Sequence, residues 1–247
     1  MKTILITGCS SGYGLETARH FHDAGWTVMA TMRTPRPDVL PRSDRMRVIA
    51  LDVTDASSIA SALDEAGPID VLVNNAGVGL IGTLEGASLL KAREVFETNT
   101  FGVMATVQAI LPQFRARRSG AIVNITSTVA MAPFPMASIY TASKTAVVGF
   151  SESLAHELAA FDIAIKLVEP GYGPTTRFAA NSDLSLEDAI HPAYAAFAEP
   201  IIAGFSAPGL TTAPSDVAEA VWEAVHDTTG RFRFPAGPDA VALSHAR

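Results

Sequence analysis

The sequence predicts an α/β fold: a doubly wound parallel sheet with helices on both faces. Three observations lead there. Short β-branched apolar runs alternate with longer stretches of helical spacing. Those runs are nearly continuous in apolar character, as in strands buried on both sides. Strand–helix alternation joined by right-handed crossovers then leaves a doubly wound sheet as the topology.

The elements follow in order. Residues 3–7 read as a first strand, because the apolar run after Met1-Lys2 is too short for a secretory leader and Gly8 ends it at once. A helix over 13–24 and a strand over 27–31 follow. Pro35, Pro37 and Pro41 mark a loop within the domain, leading to a strand at 47–51. A helix over 55–66, a strand at 70–74, a helix over 88–117 and a strand at 121–126 continue the alternation. A helix over 138–160, a strand at 164–168, a helix over 214–227 and a weaker strand at 231–235 complete it. Residues 172–213 differ: glycines and prolines, from Gly173 to Gly209, interrupt two short helical pieces. A long irregular insertion in a compact domain is usually functional or mobile.

Composition narrows the function classes. A chain of 247 residues is long enough for one large core, and no stretch marks a domain boundary, so 1–247 reads as a single domain with 172–213 as a substrate lid. The net charge of −7 disfavours nucleic acid and anionic membranes as partners. The one basic run, Arg115, Arg117 and Arg118, suits a solvated helix C-terminus. No apolar stretch reaches the roughly 20 residues of a membrane span. A single cysteine excludes an internal disulfide, and a reducing cytoplasmic compartment is the default expectation. The six histidines show no metal-ligand spacing, so no metal is assigned.

Directly after the first strand comes Thr7-Gly8-Cys9-Ser10-Ser11-Gly12-Tyr13-Gly14, with a helix pattern behind it. Glycines between strand and helix permit a tight turn and close approach of a pyrophosphate, which the helix N-terminal amides hold. The alternative is a glycine-rich turn with no ligand. Cys9 reads as a small filler rather than a reactive thiol. The second strand runs out at Ala30-Thr31-Met32-Arg33. A carboxylate there would serve the ribose 2′-hydroxyl of NAD; none is present, and the guanidinium of Arg33 suits the 2′-phosphate of NADP(H). Arg36, Arg42 and Arg45 are alternative partners.

Tyr140-Thr141-Ala142-Ser143-Lys144 places a phenol and an ammonium one helical turn apart. An adjacent ammonium favours the phenolate and lowers a tyrosine pKa, fitting the phenol for proton exchange with a carbonyl or alcohol oxygen. Ser127, just past a strand, is placed to hydrogen-bond the same oxygen.

Taken together, the glycine loop, Asn74-Asn75-Ala76-Gly77, Asn99, Ser127, Tyr140-x-x-x-Lys144 and Pro170-Gly171 resemble the short-chain dehydrogenase/reductase family over about residues 1–176. The resemblance implies a Rossmann-type sheet of about seven strands. It implies that Gly8, Ser10, Ser11, Gly12, Tyr13 and Gly14 form the cofactor loop, and that Asp52 and Val53 border the adenine. Asn74, Ala76 and Gly77 would lie along the cofactor. Tyr140 would be the general acid/base, Ser127 would orient the carbonyl, and Lys144 would bind ribose hydroxyls and depress the tyrosine pKa. Asn99 would hold a water linking Lys144 to solvent. Pro170, Gly171, Tyr172 and Thr175 would close over the nicotinamide; Thr176 is the alternative threonine. The loop and Ala30–Arg33 look most like NADPH-preferring hydroxysteroid and retinoid reductases. Two departures stand out: Tyr13 replaces a small aliphatic residue, and Gly173 replaces a valine. Family members commonly pair through the helix over 138–160, which implies a homodimer or homotetramer.

The expected substrate is a mostly hydrophobic ketone, aldehyde or alcohol. Apolar residues such as Leu80, Met131, Phe134, Met136, Tyr172, Phe178, Tyr194 and Phe205 dominate the loops around the nicotinamide. Arg177 offers a weaker alternative, a keto-acid substrate. A nucleotide-sensing regulator without chemistry is the competing reading, although such a protein is expected to lack Ser127, Tyr140 or Lys144.

Overall fold

A computed structural model of the chain describes residues 2–176, 188–206 and 209–246. Seven strands, β1 (Thr3–Ile6), β2 (Thr27–Met32), β3 (Met46–Ala50), β4 (Val71–Asn74), β5 (Gly120–Ile125), β6 (Ile163–Pro170) and β7 (Arg233–Ala236), form one parallel sheet in the order β3-β2-β1-β4-β5-β6-β7. The helices are α1 (Gly12–Asp23), α2 (Ala56–Ala66), α3 (Leu89–Phe96), α4 (Gly102–Arg117), α5 (Ser138–Ala159), α6 (Ala195–Ser206), α7 (Pro214–His226) and α8 (Pro238–His245). The winding reverses between β1 and β4, and the carboxyl ends of strands at such a reversal are where sheets of this kind bind ligands.

Successive strand residues face opposite sides of a sheet, and here both sides are covered. Ile4 and Ile6 of β1 pack with Phe21 of α1 and Val217 and Val221 of α7. Leu5 faces Ile59 of α2, Val107 of α4 and Val147 of α5. Each such side chain contributes about 1.5–3 kcal/mol by leaving water, which accounts for the unbroken apolar runs. Asp55 starts α2 by accepting the backbone N–H groups of Ser57 and Ser58.

The strands and helices given bounds above are present, most with ends shifted by no more than two residues, while 177–187 and 207–208 of the 172–213 stretch lie outside the described residues; three points differ. The helix over 88–117 contains a π turn, Glu97–Phe101, between α3 and α4. The last strand begins at Arg233 rather than Arg231. Helix α8 was not anticipated, because its eight residues are too few for a clear period, although Gly237 before Pro238 marks its start. The arginines at the C-terminal end of α4 are partly tied down: Arg117 donates to the Ile69 carbonyl and Arg118 pairs with Asp162 at 2.8 Å. No described helix is long and apolar enough to cross a membrane.

Candidate active site

The turns after β1 and β4 are laced together across the reversal point. Thr7 Oγ1 accepts the backbone N–H groups of Asn75 and Ala76, both at 3.0 Å, and the Asn75 amide donates to the Thr7 carbonyl at 2.8 Å. This brings the chains so close that a Cβ on Gly8, whose φ is +75°, would lie 2.8 Å from the Ala76 Cα. A Cβ on Gly14 would lie 2.6 Å from the Gly8 carbonyl oxygen. Ser11 starts α1 without a side-chain cap, and the first turn carries no acid. The first-turn amides therefore lie open to an anion at the positive end of the helix. The loop fits a dinucleotide pyrophosphate on these grounds. Thr7 and Asn75, absent from the expected site residues although both stand inside its motifs, hold it in shape.

Around the loop the expected residues sort themselves. Cys9 is fully buried, its thiol donating to the Ile6 carbonyl, and burial pushes its pKa up to about 12; it is a filler, as expected. Arg36 donates to the Ser10 carbonyl and Arg45 to the His22 carbonyl, whereas exposed Arg33, directly after β2, has no hydrogen bond or ion pair among the described residues. Asp52 accepts from Thr54 at the end of β3, and Val53 packs against Gly102. The Asn74 side chain is bonded to Asn124 at 2.9 Å and Thr106 at 2.7 Å in a buried network, which leaves its backbone to meet a cofactor. Ala76 and Gly77 follow in the turn. A Cβ on Gly77 would lie 3.2 Å from Asn99 Oδ1 and 3.5 Å from Lys144 Nζ.

Ser127, Tyr140 and Lys144 come together. Ser127 follows β5, and the two others lie one turn apart near the start of α5. All three are buried. The Ser127 hydroxyl hydrogen-bonds the Tyr140 phenol. Lys144 Nζ donates to the Ile125 carbonyl at 2.8 Å. The expected depression of the tyrosine pKa is not found in the protein chain itself. Burial outweighs the Ser127 hydrogen bond and pushes Tyr140 up to about 12, while the same burial pulls Lys144 down to about 8.

Asn99 sits in the π turn. Its amide brackets Val78, accepting from the N–H at 2.8 Å and donating to the carbonyl at 2.9 Å, and also donates to Ser143 Oγ at 3.1 Å. Ser143 in turn donates to the Tyr140 carbonyl at 2.7 Å. Asn99 is thus a brace between the Gly77 turn and the start of α5.

The two departures from the family pattern form a pair. A Cβ on Gly173 would run into the Tyr13 hydroxyl, so a large residue at 13 requires no side chain at 173. The Tyr13 ring packs on the core, and burial raises its pKa, with smaller contributions from Tyr140, Asp239 and Asp216. The threonine facing the loop is Thr176, not Thr175: a turn closed by Thr176 N–H to the Gly173 carbonyl brings its side chain within 3.5 Å of a Cβ on Gly12. Pro170 ends β6 opposite Ala236, with Gly171 and Tyr172 following.

Of the apolar residues expected around the substrate, Leu80, Met131 and Met136 are buried. Phe205 of α6 bridges Phe134 and Tyr172, at ring separations of 5.7 and 5.5 Å. Residues 188–191 return onto the 82–86 turn through Thr83 N–H to the Ala189 carbonyl. Tyr194 hydrogen-bonds Glu85. Arg177 and Phe178 lie outside the described residues. No metal-binding cluster occurs among the described residues.

Comparison with known proteins shows the family and the fold. The family model for short chain dehydrogenase matches residues 2–185. Retinol dehydrogenase 8 from Bos taurus is 45% identical over 184 residues, covering 69% of this chain; the match spans only 58% of that relative's length. A short-chain dehydrogenase from Streptomyces avermitilis superposes with a TM-score of 0.82 at 35% identity, over 99% of this chain and 91% of its own. One from Burkholderia phymatum, in complex with NAD, superposes with a TM-score of 0.82 at 25% identity, over 100% and 92%. The chain belongs to the short-chain dehydrogenase family of oxidoreductases, on a Rossmann-type sheet of seven strands.

Proposed function

We propose that this protein is an NADP(H)-dependent oxidoreductase that interconverts a carbonyl and an alcohol on a mostly hydrophobic small molecule. The observation that carries the reading is the buried Ser127–Tyr140 hydrogen bond with Lys144 one helical turn away. Gly8, Ser10, Ser11, Gly12, Tyr13 and Gly14 hold the pyrophosphate, Asp52 and Val53 border the adenine, and Arg33 takes the 2′-phosphate. The Asn74 backbone, Ala76, Gly77, Pro170, Gly171, Tyr172 and Thr176 line the remainder. When bound, the nicotinamide supplies or accepts the hydride.

Tyr140 moves the proton. Its raised pKa keeps the phenol protonated at neutral pH, ready to donate to the substrate oxygen in reduction. Ser127 holds that oxygen in line. Lys144, charged below about pH 8, lowers the cost of the phenolate left behind. Positioned proton transfer of this kind is worth about 10²–10⁴-fold. The apolar wall of Leu80, Met131, Met136, Phe134 and Phe205 favours a hydrophobic substrate, in keeping with a retinol dehydrogenase among the relatives. Pairing through α5 makes the enzyme a homodimer or homotetramer, which light scattering would measure. The decisive experiment is a panel of hydrophobic ketones, aldehydes and alcohols with both cofactors. Turnover with NADPH well above that with NADH is expected. NADPH binding with no turnover of any compound would overturn the reading and make the protein a nucleotide sensor.

A further inference from the structure

The turn after β6 is fastened from a part of the chain beyond the region the family model matches. Ala236 ends β7, Gly237 follows with φ +93°, and α8 begins at Pro238. In the first turn of α8, the Asp239 carboxylate accepts the Tyr172 backbone N–H at 2.7 Å through one oxygen and the Thr212 hydroxyl at 2.7 Å through the other. Thr212 Oγ1 accepts the Gly171 N–H at 2.9 Å and lies 2.9 Å from the Ala236 carbonyl oxygen. The Thr212 N–H donates to the Tyr172 carbonyl at 2.8 Å. Two consecutive amides of the turn are therefore received by one carboxylate–hydroxyl pair, and charge assistance strengthens the contact from Tyr172. The packing leaves no slack. A Cβ on Gly171 would overlap the Asp239 carboxylate, and one on Gly237 would overlap Thr212. The Asp239 charge also reaches the Tyr13 phenol, which lies on Gly173. The clasp thus adjoins the glycine loop.

We propose that Asp239, acting with Thr212, is a positioning residue that sets the Gly171–Tyr172 turn at the nicotinamide end of the cofactor site. The proposal rests on the dinucleotide reading above. It follows that Asp239 governs affinity for the nicotinamide half of the cofactor and leaves the adenine half untouched. Asparagine preserves the clasp. Its oxygen accepts from Tyr172, its amide donates to Thr212, and the threonine hydroxyl then turns to the Ala236 carbonyl. Alanine cannot do any of this.

The test compares wild type, Asp239→Ala, Asp239→Asn and Thr212→Val by calorimetric titration with NADP⁺ and with 2′,5′-ADP, which carries only the adenine half. Asp239→Ala and Thr212→Val are expected to weaken NADP⁺ by about tenfold and change 2′,5′-ADP by less than about twofold, with Asp239→Asn close to wild type. Unchanged NADP⁺ affinity in Asp239→Ala would overturn the proposal. So would equal losses for the two ligands in both Asp239→Ala and Thr212→Val, the mark of a general structural role. A wild type that binds 2′,5′-ADP but gains nothing from the nicotinamide half overturns the positioning role alone. A wild type that binds neither ligand overturns the dinucleotide reading along with it.

Discussion

Replacing Lys144 by methionine should make the protein more stable and less active. Lys144 is 5% exposed, and its ammonium donates to the Ile125 carbonyl at 2.8 Å. Burial takes its pKa from the ordinary 10.5 to about 8. At about 1.36 kcal/mol per pH unit, carrying that charge at pH 7 costs the fold about 3 kcal/mol. Methionine keeps much of the apolar stem and removes the charge, but strands the Ile125 carbonyl at a cost of about 1–3 kcal/mol. The net gain is about 0–2 kcal/mol, a rise in Tm of up to several degrees at about 2–4 °C per kcal/mol. The sign with pH follows from proton counts. Between about pH 8 and 10.5 the unfolded lysine keeps a proton that the folded one has released, so wild type gains stability as pH rises through that window. The methionine variant lacks that contribution, and its advantage over wild type shrinks. Scanning calorimetry of both proteins at pH 7 and near pH 10 measures the two gaps. A variant clearly less stable than wild type at pH 7, or a gap that does not move with pH, would refute the reasoning.

Other predictions follow from single contacts. Gly173→Val should cost about 1–3 kcal/mol by overlap with the Tyr13 hydroxyl. Adding Tyr13→Ile should restore most of it, giving a coupling above about 1 kcal/mol in a denaturant-based mutant cycle; additive losses would contradict the pairing. Arg33→Ala should weaken NADPH by about tenfold, about 1.4 kcal/mol, and leave NADH unchanged in fluorescence titration; equal losses would remove the 2′-phosphate role. Cys9 should resist iodoacetamide in the native protein at pH 8 and react only on unfolding, because burial holds its thiol near pKa 12. Prompt native labelling would show that the thiol is accessible.

Much of the fold could be read from the chain because burial on both sheet faces writes itself as continuous apolar runs such as Ile4-Leu5-Ile6 and Val71-Leu72-Val73. The Ser127, Tyr140 and Lys144 convergence was legible for a similar reason: helical spacing fixes the last two, and a strand end fixes the first. What was not legible depends on contacts between distant segments. Nothing local tells that Asn74 points into a network with Thr106 and Asn124 while Asn75 binds the glycine loop. Thr175 and Thr176 differ only through the turn at Gly173. Tyr13 and Gly173, 160 residues apart in sequence, appear as unrelated oddities until their atoms meet. The π turn at Asn99 disturbs the helical period too little to be seen, yet it carries the residue that braces Val78 and Ser143. The tyrosine pKa follows burial, against which only the Ser127 hydrogen bond works, while the Lys144 ammonium is committed to the Ile125 carbonyl.

The central claim is that the Tyr140 hydroxyl transfers the proton. It is tested most directly by the rate of NADPH oxidation with a hydrophobic ketone in Tyr140→Phe against wild type, at saturating cofactor. The account predicts turnover reduced by at least about 10²-fold with NADPH affinity retained. Turnover within a few fold of wild type would contradict it.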